Sequence, residues 1–191
     1  QIFEARNAFD ISRIYQIGDE FELNYIIKGN GDEYKQLDIV NESGFSFILP
    51  IDFPKSYDVS NLEEAENVSL AKLKDWELAA FNPKILANNN VTFTITTDGN
   101  KTAKAFFGNL RTTIKKGLTK NEALAALTTI PARLMQTDDV LGRIEIGMFA
   151  NFIICSSDIF EDGIIYENWV AGERHIVNKK QEAEGKQTPV L

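Results

Sequence analysis

The sequence predicts an α/β fold: half of a TIM (β/α)8 barrel, followed by a small antiparallel β extension. Three observations carry this. Apolar runs of strand length alternate with helix-patterned stretches four times over residues 1–136. Beyond that point the helical spacing stops, and glycines punctuate short β-type runs. The composition, 43% hydrophobic and 25% charged, supplies a core and excludes disorder. A complete barrel needs eight strand–helix units and about 250 residues. Four units in 191 residues fit half of one. A small open α/β sheet is the competing architecture.

Gln1–Ala5 is a short strand around Ile2 and Phe3. Phe9, Ile11, Ile14, Ile17 and Phe21 recur at three- and four-residue spacing and predict a helix. Leu23–Lys28 is a strand with an apolar middle, Tyr25, Ile26 and Ile27, and Gly29-Asn30-Gly31 turns the chain. Tyr34, Leu37, Ile39 and Val40 predict a helix over Asp32–Glu42, stopped by Gly44. Phe45–Ile51 is mostly apolar, as in a parallel strand covered on both faces. A loop runs from Asp52 to Asn61, and Leu62–Ala80 is helical until Asn82-Pro83 interrupts. In Val91–Thr97, Val91, Phe93 and Ile95 alternate with Thr92, Thr94 and Thr96, a fourth strand. A helix over Lys101–Lys116 ends at Gly117. Thr119 and Glu122 form a capping-box pattern that opens the next helix, with Leu124, Leu127 and Ile130, and Pro131 within or near its end.

The extension reads as strands over Arg143–Ile146, Asn151–Cys155, Gly163–Tyr166, Trp169–Val170 and His175–Val177, with Ala171-Gly172 as a hairpin turn. The domain reading is a half-barrel over 1–136, a β extension over 137–178 and a polar tail over 179–191. Phe45, Phe47, Phe93, Phe106, Phe107, Trp76 and Trp169 are assigned to the core.

The net charge of −8, without a Lys/Arg cluster, argues against a nucleic-acid footprint and against an anionic membrane surface. No apolar run approaches the roughly 20 residues of a membrane span. One Cys excludes an internal disulfide framework. One His excludes a self-sufficient mononuclear zinc hydrolase, which takes two or three imidazoles. The chain opens on Gln1 with no signal-like segment, so it reads as processed or cut from something longer, and its compartment is not set.

Gly117–Val177 carries a resemblance. Glu122-Ala123-Leu124, Thr129-Ile130-Pro131-Ala132, Leu141-Gly142, Gly147, Ala150-Asn151 and Asn168-Trp169-Val170-Ala171-Gly172 stand in the order of a known signature. The segment resembles the C-terminal part of the amidohydrolase superfamily, nearest its imidazolonepropionase-like branch. The resemblance implies barrel strands five to eight at Gln1–Ala5, Leu23–Lys28, Phe45–Ile51 and the strand ending Thr96-Thr97-Asp98, then part of a β-sandwich. It also implies that strands one to four and the first sandwich strands are missing. The family reaction is hydrolysis of amide or amidine C–N bonds by a metal-bound hydroxide, with zinc or another divalent metal and a strand-eight Asp that shuttles the proton.

The departures are as informative. Strand five of the family ends in a metal-binding His or Lys and strand six in a His. Here those ends read Ile2-Phe3-Glu4-Ala5 and Ile27-Lys28-Gly29. Only Asp98 matches a functional position, so the resemblance implies a vestigial catalytic and metal-binding Asp98. Glu4 is the other candidate metal ligand, from its place at a strand end and not from the resemblance. Lys28–Tyr34 and Leu73–Ala79 further resemble tandem amidohydrolase-like proteins in which one half has lost its ligands.

Glu4, Lys28, Asp52 and Asp98 each stand at or near the C-terminal end of a strand. A barrel half brings such ends to one rim, where three carboxylates attract a hard cation and Lys28 offsets part of their charge. The competing reading is four solvated residues, with Asp98 capping the helix at Lys101. His175 is read as a surface strand residue, Cys155 as a small buried apolar one, and Gly29-Asn30-Gly31 as a plain turn rather than a phosphate loop. The segment is therefore expected to be catalytically inactive and structural, with no cofactor of its own. The alternatives are a hydrolase completed by its missing N-terminal half, or a binding module for a cation or small polar ligand. Open sheet edges predict pairing with that half or with a second copy.

Overall fold

The computed structural model describes residues 1–57, 60 and 68–179. The chain divides into two units between Arg143 and Ile144. In the first, β1 (Ile2–Glu4), β2 (Ile26–Lys28), β3 (Ser46–Pro50) and β4 (Phe93–Thr96) form one parallel sheet in chain order. The helical connections between them make this an α/β fold with a parallel sheet, as in part of a (β/α)8 barrel.

Helix α1 (Ala8–Glu20) joins β1 to β2. Asn7 caps it, accepting from the amides of Phe9 at 2.9 Å and Asp10 at 3.2 Å. Its apolar face buries Ile11 and Ile14. A 3-10 turn (Glu33–Gln36) leads into α2 (Leu37–Ser43), which Gly44 ends at φ 63°. The sequence predicts one helix there. The 3-10 turn replaces its first part because the Glu33 side chain ties back to the preceding loop. Between β3 and β4 lie α3 (Leu70–Ala79) and α4 (Asn82–Asn88). The Leu62–Ala80 helix predicted from sequence falls in part on 62–67, outside the described residues. The helix ends at Ala79, just before Asn82-Pro83, as the sequence predicts. Pro83 then sits in the first turn of a new helix, α4, where its missing N–H costs nothing.

After β4 come α5 (Ala103–Lys115), α6 (Lys120–Leu127) and α7 (Thr129–Leu134). The predicted capping box is present. Glu122 N donates to Thr119 Oγ1 at 3.1 Å, and Thr119 N donates to Glu122 Oε2 at 2.7 Å. Pro131 cannot donate to the carbonyl of Leu127, and the helix breaks at Thr128.

The core of this unit is built from Ile27, Phe47, Leu49, Ile51, Leu86, Leu110 and Leu118, all fully buried. Each such side chain contributes about 1.5–3 kcal/mol. In β4 both faces are covered: Phe93, Thr94 and Ile95 are all buried. Thr94 satisfies its hydroxyl by donating to the Ala126 carbonyl at 2.8 Å. Trp76 was assigned to the core but is 40% exposed, on a helix with no buried residue.

The second unit holds a three-stranded antiparallel sheet of β5 (Phe152–Cys155), β6 (Ile165–Val170) and β7 (Glu173–Ile176). Phe152 pairs with Trp169 and stacks on it at 5.5 Å between ring centroids. Ala171 and Gly172 turn the β6–β7 hairpin with φ of 50° and 84°, the two positive angles of a type I′ turn. The predicted strands at Gly163–Tyr166 and Trp169–Val170 are one strand. No strand forms at Arg143–Ile146, where Ile144 is 82% exposed and Ile146 fully so. A strand needs a paired neighbour for its N–H and C=O groups, and among the described residues none lies there.

Candidate functional site

The carboxyl ends of the parallel strands gather the four rim residues named from sequence. Glu4 ends β1, Lys28 ends β2, and the two are register partners. Asp98 lies two residues past the end of β4. Adjacent strands are about 4.8 Å apart, so β2 and β4 are separated by on the order of 10 Å. The long Lys28 side chain spans this gap across the end of β3. Its Nζ lies 2.7 Å from Asp98 Oδ2 and 3.3 Å from Glu4 Oε1. Asp98 Oδ1 accepts from the Gly99 amide at 3.0 Å, and the Asp98 amide donates to Thr96 Oγ1 at 3.2 Å. Asp52 backs onto this turn. A methyl group at Gly99 would lie 2.6 Å from Asp52 Cβ, and Gly99 has φ 77°. Only glycine meets both demands.

The competing reading of Asp98 as a helix cap does not hold. Thr102 caps α5, accepting from Ala105 N at 3.1 Å, and the helix starts at Ala103 rather than Lys101. Asp98 pairs with Lys28 instead. The hydrogen bond and charge of Lys28 hold the Asp98 carboxyl below its ordinary range, with help from the Gly99 amide. Reciprocally, hydrogen bonds to Asp98 and then Glu4 hold the Lys28 ammonium above its ordinary range. Asp98 and Glu4 are 57% and 67% exposed, and Lys28 31%.

The donor chemistry does not fit zinc. Zinc takes about four ligands with nitrogen or sulfur among them. The rim offers carboxylate oxygens, and an ammonium already sits between two of them. Among the described residues no three His, Cys, Asp or Glu side chains gather as a metal-binding group. His175 lies on β7 of the second unit and is exposed, and Cys155 ends β5, its thiol pushed up by burial.

Beside the rim, sequence reasoning missed a buried carboxylate. Glu33 is 1% exposed. Its Oε1 accepts from Asn30 N at 2.9 Å and Gly31 N at 3.1 Å, and its Oε2 accepts from Asn82 Nδ2. Asn82 in turn accepts from Tyr34 N at 3.0 Å. A Cβ on Gly29 would overlap Glu33 Oε1, so glycine is required there. The amides that a phosphate loop would present are thus turned onto an internal carboxylate, and the plain-turn reading of Gly29-Asn30-Gly31 stands. Burial raises the Glu33 carboxyl, opposed by these N–H donors. The signal in the sequence was a Gly-Asn-Gly turn followed two residues later by Glu.

A parallel sheet with helical connections and charged residues gathered at its carboxyl ends defines a class, the α/β proteins, to which part of a (β/α)8 barrel belongs. The comparisons narrow the class. The model of the Amidohydrolase family matches residues 77–181, just over half of the chain, and the chain belongs to that family. The family generally uses divalent metals.

A search of curated proteins gives no match. Among solved structures, an amidohydrolase from Thermotoga maritima MSB8 is similar with a TM-score of 0.71 at 21% identity, covering 94% of this chain and 43% of its own. A Xaa-Pro dipeptidase with bound methionine gives 0.66 at 16% identity, covering 92% and 44%. A prolidase complexed with N-methylphosphonate-L-proline gives 0.63 at 20%, again covering 92% and 44%. At such identities the likeness is one of fold. The chain spans less than half the length of these structures. Among the described residues no helix is long and apolar enough to cross a membrane.

Proposed function

We propose that this chain is a non-catalytic, structural part of an amidohydrolase-like protein, supporting a catalytic part elsewhere. One observation carries the reading. The Lys28 ammonium lies between Glu4 and Asp98, where a hydrolytic metal would need those carboxylates free. In this reading Asp98 is the vestige of the family's strand-eight Asp. The four parallel strands correspond to barrel strands five to eight, in a half-barrel over 1–136. Residues 137–178 belong to a β-sandwich extension. The imidazolonepropionase-like branch and a tandem, ligand-depleted half are the finer assignments that the Gly117–Val177 signature and the charged strand ends support. The partner is the missing half of the barrel or a second copy.

The test is hydrolysis of amide and dipeptide substrates by this chain and by the longer protein. The reading expects turnover only from the longer protein, unchanged in Asp98→Asn. The second reading is a hydrolase completed by the absent portion, with Asp98 and Glu4 as ligands. It is favoured by relatives more than twice as long as the aligned segment. It expects Asp98→Asn to abolish turnover in the longer protein.

A further inference from the structure

We propose that the Lys28 ammonium is a built-in cation that takes the place of a divalent metal at the rim. The inference rests on the structural reading above and explains how the rim stays intact without an ion. Glu4 and Asp98 come from the two edge strands' ends, and both aim a carboxylate oxygen at one point. Two like charges brought toward one point repel, and a cation between them relieves that repulsion. An oxygen-ligated metal sits roughly 2.0–2.6 Å from its ligands. The ammonium sits at 2.7 and 3.3 Å from these oxygens, in the geometry of a charge-assisted hydrogen bond and a longer ion pair. It supplies positive charge and no lone pair, so it satisfies the carboxylates and blocks a metal at once. Gly99, packed against Asp52, fixes the turn that aims Asp98 at it. The raised ammonium and lowered carboxyl values agree with this pairing.

Exchanging the ammonium for a neutral nitrogen ligand should therefore open a metal site. The whole chain, Lys28→His and Lys28→His/Asp98→Asn are titrated with Zn2+ by calorimetry, with folding followed by circular dichroism. The expected result is no Asp98-dependent uptake by the unaltered chain. Lys28→His takes one Zn2+ at least about a hundredfold more tightly, and the double variant loses it. Lys28→Met, heated with and without Mn2+, keeps the proposal testable if Lys28→His does not fold. Mn2+ is expected to raise its Tm and to leave that of the unaltered chain in place. The proposal is overturned if the unaltered chain binds Zn2+ through Asp98. It is equally overturned if folded Lys28→His binds no better than the unaltered chain, or if Mn2+ does not move the Lys28→Met transition. These are binding readouts. Hydrolysis by the chain would sink the structural reading instead, and the two failures are separable.

Discussion

Lys28 is held by carboxylates from two strands, and each partner sets a pH limit on the contact. Asp98 is depressed below 3.8, so its contribution is present above that value and is lost as pH falls through the lower, folded value. Lys28 is raised above 10.5, so its contribution is present below that value and is lost as pH rises through the folded one. A carboxyl-carbon NMR titration should find Asp98 with a midpoint below 3.8 and return it to the ordinary range in Lys28→Met. An unchanged midpoint would mean that the pair does not form. Glu33 has the opposite sign. Its raised carboxyl contributes fully below 4.5, and that contribution falls as pH rises through the folded value. Glu33→Gln should lower stability by about 1–3 kcal/mol in denaturant melts, because an amide N–H2 meets the Asn82 or loop N–H donors. Asn82 cannot flip to accept, since its oxygen already serves Tyr34 N. The rim was legible in sequence because strand ends in a parallel sheet share one edge. The Lys28 pairings were less so, because they depend on side-chain reach across β3. Glu33 was hidden, because a Glu in an acidic chain reads as solvated.

Among the elements, the most legible were those fixed by local chemistry. Thr119 and Glu122 open α6 as the pattern requires, and Thr119→Ala should cost about 1 kcal/mol by thermal or denaturant unfolding. The less legible elements are those set by neighbours. The alternation in Val91–Thr97 puts the threonines on one face of the strand without telling what covers it, and Thr94 is buried with its hydroxyl on the Ala126 carbonyl. Thr94→Val keeps the shape and removes the donor, so it should destabilise by about 1 kcal/mol. Stability unchanged in that variant would show the hydroxyl to be idle. The stop before Asn82-Pro83 is real, and α4 beyond it is not legible because a proline that marks a break also suits the first turn of a new helix. Arg143–Ile146 has strand-like residues but no strand to pair with among those described.

For the whole molecule, the parallel sheet has β1 and β4 as its edges, and Ile2 and Phe3 of β1 are exposed. In the second unit Ile144, Ile146, Phe149 and Ile176 are exposed as well. Edges unpaired among the described residues, and scattered apolar groups of this kind, drive association. Light scattering should therefore report a mass above 21.5 kDa for the isolated chain. A cooperative, strictly monomeric chain would speak against pairing. The α/β fold with a parallel sheet was legible from the count of strand–helix units, and the chain matches its structural relatives over less than half their length. The most direct test of the account is the metal content of the purified chain, read by elemental mass spectrometry for zinc, manganese and iron. The account predicts no stoichiometric metal, with Lys28 serving as the cation between Glu4 and Asp98. One equivalent of metal per chain, lost in Asp98→Asn, would contradict it.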